Sequence, residues 1–403
     1  MSSLLKTPGV YVEPNTDRFA ALESVETGVA AFLGVAGRGP AQIPVRIHSF
    51  DQFARTFGAD YSVLSLSMNG FFENGGKCAT VVNVNEYGGT RSHSYLGTQG
   101  TAPRGLQLLE TIDDIDLVVL PSLGEQDRKH SFLLSRSEMS AVQGATIAHC
   151  ERLQTRFALL DSLPGMTSTD ASKHRAQFDS SFAAFFHPWI RSRVGAVASP
   201  ALPPSGHIAG LFAKVDRREG VHRSAANTAL EGVVDVTEQL QKSARDQLFA
   251  AQINGLFSFA GRGVRVGGSR TLCSDSPFAQ INVRRLFILL RKSIERYAQW
   301  VVFEPNEPAL WKKLTRTIDS FLHEMWKRGA FVGGAAEEAY YVKCDEETNP
   351  LEARDAGQLT LEIGVAPVRP AEFIVVRIQQ WTREASGEPD EETAAPARAT
   401  GPS

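Results

Sequence analysis

The segment AEFIVVRIQQW, residues 371–381, is predicted to form an extended strand whose first half is apolar on both faces. With a side-chain period of two, alternate apolar residues fill one face and the residues between them fill the other. The residues that define this strand are Phe373, Ile374, Val375, Val376, Arg377 and Ile378. Such a strand needs a neighbour, because unpaired N–H and C=O groups promote aggregation. The neighbour is either another chain or a covering loop of this chain.

A second strand-forming segment stands near the N-terminus. Prolines at positions 8 and 14 bracket GVYVE within a predicted extended arm, residues 1–27, whose strand residues are Val10, Tyr11, Val12 and Glu13. The C-terminal strand follows APVRP, and its prolines favour a stiff extended exit over a tight hairpin. A chain with strands at both ends can lend them to neighbouring copies by β-augmentation. If every copy lends in the same sense, the contact builds rings or an open helical array.

Between these ends, strand and helix patterns alternate. Buried-strand patterns occur in GVAAFLGVAGRGP, CATVVNVN, IDLVVLP, RFALLDSLPG and VGAVASPALPPSG. Helical patterns occur in SFDQFARTFG, SEMSAVQGATIAHCERL and ASKHRAQFDSSFAAFF, whereas residues 86–105 are rich in Gly, Ser and Thr and are predicted to form a loop. AGRGVRVGG, residues 260–268, indicates a turn or a hairpin tip. The alternation predicts a mixed α/β layered fold, and 403 residues suggest about two domains.

Two amphipathic helices are predicted near the C-terminus, over residues 284–300 and 308–328. The apolar arc of the second helix contains Leu310, Trp311, Leu314, Ile318, Phe321, Leu322, Met325 and Trp326. Its opposite face carries Lys312, Lys313, Arg316 and Lys327. This basic face is either a solvated surface or a docking surface for an acidic protein partner. The strand-like runs AYYVKC, LTLEIGV and EFIVVRI are the natural elements for the apolar arcs to cover.

Bulk composition excludes several classes of protein. Lys plus Arg number 42 and Asp plus Glu number 45, so long-range electrostatics gives no basis for direct nucleic-acid binding. The four cysteines form no C-x-x-C pair, which argues against a zinc knuckle or disulfide framework and favours a reducing cytoplasm. The N-terminus lacks a signal-peptide pattern, and no run approaches the roughly 18 apolar residues of a membrane helix. We therefore expect neither export by a cleaved signal nor membrane insertion.

One cluster of residues offers an alternative as a metal-dependent or serine hydrolase. His207, Asp216 and His222 stand close together in the sequence, with Ser205 beside His207. The spacing matches no helix-face metal motif, and PPSGHIAG lacks the G-x-S-x-G turn of a nucleophilic serine. Hydrogen-bonded loop histidines are the favoured interpretation. The sequence therefore predicts no enzyme, no metal and no cofactor.

Eight separated blocks resemble one known family. They are TPGVYVEP, GRGPAQIPVRIHSFDQFARTFG, GFFENGGKCATVVNV, PPSGHIAGLFAKVDRREGVHRSAAN, INVRRLFILLRKSI, VFEPNEPALW, EEAYYVKCDEETNP and IGVAPVRPAEFIVVRIQQ. In this order, from about residue 7 to 380, they resemble the tail sheath proteins of contractile phage tails and bacterial contractile injection systems. The short 86–105 segment is similar to the compact injection-system sheaths, whereas GGSRT at Gly267 departs from relatives that have an aromatic residue there.

The resemblance implies a domain order and an assembly. It implies an arm at 1–27, an outer α/β domain at 28–280, an inner domain at 281–366 and a strand arm at 367–381. Composition alone predicts a disordered acidic tail at 382–403, and from Glu384 onward this tail lies outside the resemblance. It implies hexameric rings stacked helically around an inner tube, with baseplate and terminal cap proteins as further partners. The particle would assemble in the cytoplasm of the producing bacterium. A non-contractile tube or baseplate scaffold is the alternative from the same class of structural proteins.

The resemblance also implies roles for particular residues. The arms of neighbouring subunits would join a receiving sheet that contains Tyr341, Val342, Leu359, Leu361 and Ile363. Because the C-terminal domain of such sheaths lies innermost, Lys312, Lys313, Arg316 and Lys327 are candidate tube contacts. No residue receives a catalytic or metal-binding role.

Overall fold

A computed structural model describes residues 22–60, 62–85, 91–97, 102–125, 134–194, 197–274 and 277–370. The chain divides into two units, Met1–Arg369 and Pro370–Ser403, and every element below lies in the first. The strands are β1 (Ala30–Gly34), β2 (Val45–Ile47), β3 (Ala79–Asn83), β4 (Leu117–Val119), β5 (Phe157–Asp161), β6 (Ala183–His187), β7 (Ile190–Val194), β8 (Val197–Leu202), β9 (Val233–Val236), β10 (Asn254–Phe259), β11 (Gly263–Val266), β12 (Tyr340–Lys343) and β13 (Glu362–Val365).

The helices are α1 (Phe50–Phe57), α2 (Val63–Glu73), α3 (Arg91–Leu96), α4 (Arg136–Leu153), α5 (Ser168–Arg175), α6 (Ser205–Glu219), α7 (Lys242–Ala250), α8 (Ile281–Ala298), α9 (Pro308–Lys327), α10 (Ala336–Ala339) and α11 (Leu351–Asp355). Short 3₁₀ helices occur at Gly105–Thr111, Pro121–Gly124 and Gln299–Val301. Within the described ranges, no helix combines the length and the apolarity needed to cross a bilayer.

A large mixed sheet organises most of the described chain. Its strand order is β11-β10-β6-β5-β4-β1-β3-β2, with parallel pairing from β3 through β10 and an antiparallel strand at each edge. β1, β4, β5 and β6 are buried along their whole length, as expected for parallel strands covered by helices on both faces. The predicted α/β layered fold is therefore confirmed as a mixed α/β structure. The strands β8-β7-β9 form a separate small antiparallel sheet, and a bridge between Ala229 and Arg265 links the segment before β9 to β11 of the large sheet.

Two sequence predictions differ from the structure. The predicted helix in ASKHRAQFDSSFAAFF ends at Arg175, and AAFFH forms the central strand β6. A strand buried on both faces has no polar alternation, so its apolar run cannot be distinguished from a helix by period. The predicted loop at 86–105 contains α3, because Tyr95 is only 1% exposed and anchors a helical turn to the core. Within the Gly-rich run at 260–268, residues 260–262 form the tip of the β10–β11 hairpin, and residues 263–266 form β11.

A second hydrophobic cluster forms around α8 and α9, separate from the cluster on the large sheet. The fully or nearly buried residues of this second cluster include Leu286, Leu289, Leu290, Tyr297, Leu310, Trp311, Leu314, Ile318, Phe321 and Leu322. Leu22 and Val25, which the sequence placed in the extended arm, also pack in this cluster. The Val25 N–H donates a hydrogen bond of 3.1 Å to Ser293 Oγ on α8. The chain is thus attached to α8 from residue 22 onward.

Candidate assembly interface

The α8–α9 hairpin supports the sheet that the sequence analysis singled out. α9 begins at Pro308, where the missing N–H costs nothing, and the Trp311 indole N–H donates to Asn306 Oδ1 at 2.7 Å. Six residues of the predicted apolar arc are buried, and Met325 and Trp326 are partly buried against the same cluster. The two predicted amphipathic helices are confirmed, with the apolar face of each turned to the second cluster.

β12 and β13 form a two-stranded antiparallel sheet over this cluster. Tyr341 pairs with Gly364 and Val342 with Ile363. Leu359 and Leu361 precede β13 in the chain, and together with Ile363 they pack against the second cluster. The alternating side chains of LTLEIGV therefore share one face, although only its second half is strand.

Each strand of this sheet has an outer edge. The Ala366 N–H donates to Ala339 O at 2.9 Å, which places the hydrogen-bonded pairs at 341/364 and 343/362. The N–H and C=O groups of Val342 and Ile363 consequently point away from the partner strand. Among the described residues, only the short bridge between Phe331 and Pro367 extends the pairing beyond two strands. Both edges can accept a further strand.

Tyr341 covers the exposed face of this sheet. Its side chain lies over Gly364, where a Cβ would come within 2.1 Å of the ring. Its hydroxyl donates to Glu362 Oε1 at 2.5 Å, and this hydrogen bond raises the pKa of the phenol. Burial raises the pKa of Tyr340 on the opposite face to about 12, with Asp319 adding to the effect. The sheet is thus fixed by side chains on both faces, and among the described residues no further strand pairs with the outer edge of β12 or β13.

The predicted basic residues of α9 do not form one uniform face. Lys312, Arg316 and Lys327 are exposed, whereas Lys313 is half-buried with its Nζ 4.4 Å from the Trp300 ring centre. Lys327 pairs with Glu324 at 3.7 Å. Lys312 and Arg316 line an open groove of about 740 Å³ whose opposite wall is acidic and contains Asp345, Glu346 and Glu347. The positive charges of Lys312 and Arg316 therefore lie beside a negatively charged surface. The lent strands, residues 10–13 and 373–378, lie outside the described residues.

A buried ion-pair network joins α8 to the large sheet. The Arg285 guanidinium donates to Asp216 at 3.0 and 2.5 Å and to Asp116 at 2.5 Å. Asp116 immediately precedes β4 and also accepts the Gly28 N–H at 2.9 Å. Burial acts to lower the pKa of Arg285, but the two carboxylates more than offset it and raise that pKa. Sequence analysis missed this network, because its members are 69 and 169 positions apart.

Of the residues of the hydrolase alternative, Asp216 and His222 line one groove, whereas His207 packs against α2. His207 lies in α6 and not in a loop; its ring packs so closely on α2 that a Cβ at Gly70 would lie 2.2 Å from it. Burial lowers the pKa of His207 to about 4, and its Nδ1 has no hydrogen-bond partner in the described chain. Asp216 is occupied by Arg285. The prediction of hydrogen-bonded loop histidines was therefore wrong for His207, which is a packing residue in a helix.

Another buried cluster has the residue types of a nucleophile, a base and an orienting acid. His187 Nδ1 lies 2.9 Å from Ser162 Oγ, and its Nε2 lies 3.0 Å from Glu238 Oε2. Burial lowers the pKa of His187, with Glu238 acting in the opposite direction. The cavity beside Ser162 has a volume of about 10 Å³, which is roughly the space of one water. The cluster therefore connects β5 and β6 to the segment after β9 without room for a substrate.

The carboxyl end of the parallel strands is also closed. In α/β enzymes, ligands bind there, where the strand order reverses. In this chain the reversal lies between β1 and β4, next to Gly34. A Cβ at Gly34 would lie 2.7 Å from Ser122 Oγ and 3.1 Å from Leu64 Cδ1. Protein atoms fill the position of the usual crevice. Within the described ranges, no group of three or more His, Cys, Asp or Glu is placed to hold a metal ion.

The comparisons agree with this architecture. The model of the phage tail sheath protein central domain matches residues 114–272, and that of the phage tail sheath C-terminal domain matches residues 273–380. A tail sheath protein of Vibrio phage KVP40 is 31% identical over 188 residues, which are 46% of this chain and 27% of that protein. This chain thus matches about a quarter of the length of that relative.

Solved structures match over nearly the whole chain. The helical sheath of the anti-feeding prophage in its contracted state has a TM-score of 0.75 at 28% identity, covering 94% of this chain and 100% of that one. The PVC sheath complex of an extracellular contractile injection system, also contracted, has a TM-score of 0.74 at 25% identity, covering 95% and 99%. The fold and the two domain matches define a tail sheath architecture. The chain belongs to the contractile tail sheath family of phage tails and phage tail-like injection particles.

Proposed function

We propose that this chain is the structural subunit of a contractile sheath and is not an enzyme. Copies polymerise as hexameric rings stacked in a helical cylinder around an inner tube, and contraction drives the tube through a target envelope. The observation that carries the proposal is the β12–β13 sheet, whose two edges remain open in the described chain. The contracted state of two similar sheaths supports the contractile over the non-contractile alternative.

The open edges are proposed to receive arms from neighbouring copies. Residues 10–13 of one neighbour and 373–378 of another add strands to the sheet, the mode of recognition called β-augmentation. Each added strand makes several backbone hydrogen bonds worth roughly 0.5–1.5 kcal/mol net apiece. These bonds persist while the array shortens, because the connections at 13–17 and 366–370 act as hinges.

We further propose an outer domain at 28–280 and an inner domain at 281–366. The separate hydrophobic clusters support this division, as does the change of family model after residue 272. Lys312, Lys313, Arg316 and Lys327 are proposed tube contacts of the inner domain, with Lys312 and Arg316 the most accessible. Baseplate and terminal cap proteins bind the ends of the cylinder. Assembly takes place in the cytoplasm of the producing bacterium.

The test is a pair of truncations. Deletion of 371–403 removes the lent strand, so we expect a folded subunit that does not form tubes. Deletion of 382–403 is the matched control, since it removes only the acidic tail, and tubes are expected from it. Electron microscopy of both preparations, with circular dichroism to check folding, gives the readout. Normal tubes from the longer deletion would contradict the arm mechanism.

The receiving edges have their own test. Proline at Ile363 or at Val342 removes an N–H that points outward and leaves the hydrogen bonds between β12 and β13 in place. Either substitution is expected to prevent tube formation without unfolding the subunit. Contraction is checked separately: two sheath lengths and diameters in one preparation support it, whereas a single length under every condition supports a non-contractile scaffold.

A further inference from the structure

The tip of the α8–α9 hairpin carries an exposed aromatic side chain. Phe303 is fully exposed at 101% and Val302 is 62% exposed. Phe303 also has a φ of +75°, a left-handed conformation that is costly for a bulky residue and that is usually found where function requires it. An exposed phenylalanine in strained backbone is unexpected for a surface that faces only water.

The loop that carries Phe303 is firmly attached at its base. The Glu304 N–H donates to Val301 O at 3.0 Å, which closes a turn around the two apolar residues. The Asn306 amide donates to Gln358 O at 2.8 Å, and Arg354 Nε donates to Asn306 O at 3.2 Å. The apolar tip, Val302 and Phe303, is therefore held outward in one position, which lowers the entropy lost on docking.

The same hairpin has an apolar groove toward its other end. The groove has a volume of about 640 Å³, and its apolar lining includes Leu22, Leu286, Leu289, Phe321 and Met325. Ser320 is an exposed residue at its margin. A groove of this size and composition can take the side chains of a two-residue apolar tip.

A copy cannot fill its own groove. α8 and α9 run antiparallel, since the groove is lined by the first half of α8 and the second half of α9. At 1.5 Å per residue, Leu289 lies roughly 14 Å along the axis from Ala298, and the tip lies beyond the end of the helix. Tip and groove therefore stand at opposite ends of one hairpin, which is the arrangement that joins copies head to tail.

The charges around the two surfaces are complementary. Glu304 and Glu307 are exposed beside the tip, and neither carboxylate has an ion-pair partner among the described residues. Arg316 and Arg328 line the groove, and within the same ranges their guanidinium groups are also unpaired. Glu23 and Glu324 line the groove too, but Glu324 is paired with Lys327 at 3.7 Å. The groove thus offers two free positive charges against one free negative charge.

We propose that Val302 and Phe303 of one copy dock in the α8–α9 groove of the next copy of this chain. The proposal rests on the proposed function as a polymerising sheath subunit and adds a contact independent of the strand arms. Phe303 acts as the buried aromatic anchor of the contact, and Glu304 and Glu307 face Arg328 at its rim. Because the two surfaces differ, the contact is heterologous and extends a ring or a helical array.

Cysteine cross-linking in the full-length chain tests the docking. Copies carrying Phe303→Cys are mixed with copies carrying Ser320→Cys under oxidising conditions. A disulfide-linked heterodimer is expected only from this mixture. Ser137→Cys on α4, also exposed, is the matched control and should give no product with Phe303→Cys; wild type reports the background of the native cysteines. Homodimers of Phe303→Cys, or equal yields with both partners, would overturn the proposal.

A second variant measures the energetic role of the tip. Phe303→Gly removes the side chain and relieves the left-handed strain, so the subunit should melt at the same or a higher temperature. The fraction that assembles should nevertheless fall at least tenfold. Val234→Ser, at an apolar side chain that is 57% exposed elsewhere, should leave assembly unchanged. Unchanged assembly by Phe303→Gly, or cross-linking of Phe303→Cys to the tube protein instead, would refute the docking.

The two proposals fail differently. Wild-type tubes without the 303–320 cross-link would refute the docking and leave the sheath function standing. The cross-link without tubes would support a head-to-tail contact and count against the sheath function. Absence of both would refute both.

Discussion

Replacing Arg285 with Met should be among the most destabilising single changes in this chain. The side chains of Arg285, Asp116 and Asp216 are 4%, 6% and 2% exposed, so removing the guanidinium leaves two carboxylates buried without a counter-charge. Breaking a buried ion pair by removing one partner costs roughly 3–5 kcal/mol. Methionine retains the unbranched stem beside Phe212, so the loss is one of charge more than of packing.

Arg291→Met on the same helix is the matched control. Arg291 also pairs with a carboxylate, Glu295 at 2.7 Å, but both side chains are about half exposed. Such surface pairs contribute only about 0.3–0.5 kcal/mol. Urea unfolding of the unassembled subunits at one low protein concentration gives both free energies of unfolding. We expect the Arg285 variant to lose several times more stability than the Arg291 variant.

A triple variant tests whether the loss of stability comes from buried charge. Adding Asp116→Asn and Asp216→Asn to Arg285→Met removes the unpaired charges and keeps an oxygen to accept the Gly28 N–H. The triple variant should therefore recover most of the stability lost by the single variant. If Arg285→Met costs no more than Arg291→Met, or if the triple variant is less stable than the single one, the network does not act through buried charge.

Two further predictions concern burial. A Gly→Ala change inside a helix ordinarily stabilises it by up to about 1 kcal/mol. At Gly70, however, the new Cβ would lie 2.2 to 2.4 Å from the His207 ring, so we expect Gly70→Ala to lower the free energy of unfolding by about 1–3 kcal/mol. Gly144→Ala, whose Cβ would meet Phe178 at 3.7 Å, should cause no loss in the same urea assay. Burial raises the pKa of Asp161 to about 7, so its stabilising contribution is complete below the unfolded pKa near ~4 and is lost as the pH rises from there through 7. Asp161→Asn should thus gain stability relative to wild type across that interval, and a constant difference would contradict the assignment.

The sequence correctly predicted the amphipathic elements, in which one face is buried and the other meets water, so that apolar residues recur with the period of the element. The α9 residues Leu310 to Trp326 repeat at helical spacing because the opposite face meets water, so the period survives in the sequence. β6 was missed because both of its faces are buried, and the Arg285 network was missed because it joins residues far apart in the chain. The exposure of Phe303 depends on a left-handed turn that no local pattern encodes.

The contacts inside the subunit differ in strength from the contacts proposed between subunits. The bonds inside the subunit are buried and costly to break: Arg285 ties α8 to the large sheet, and Val25 is tied to Ser293 on the same helix. The surfaces proposed to join copies are of a different kind, namely open strand edges and a small apolar tip with a charged rim. Force applied to the β12–β13 sheet would therefore reach the body of the subunit through α8 without unfolding it, while rim charges break and re-form at low cost. A subunit built in this way changes its neighbours' positions before it changes its own fold, which is the property that a contracting sheath requires.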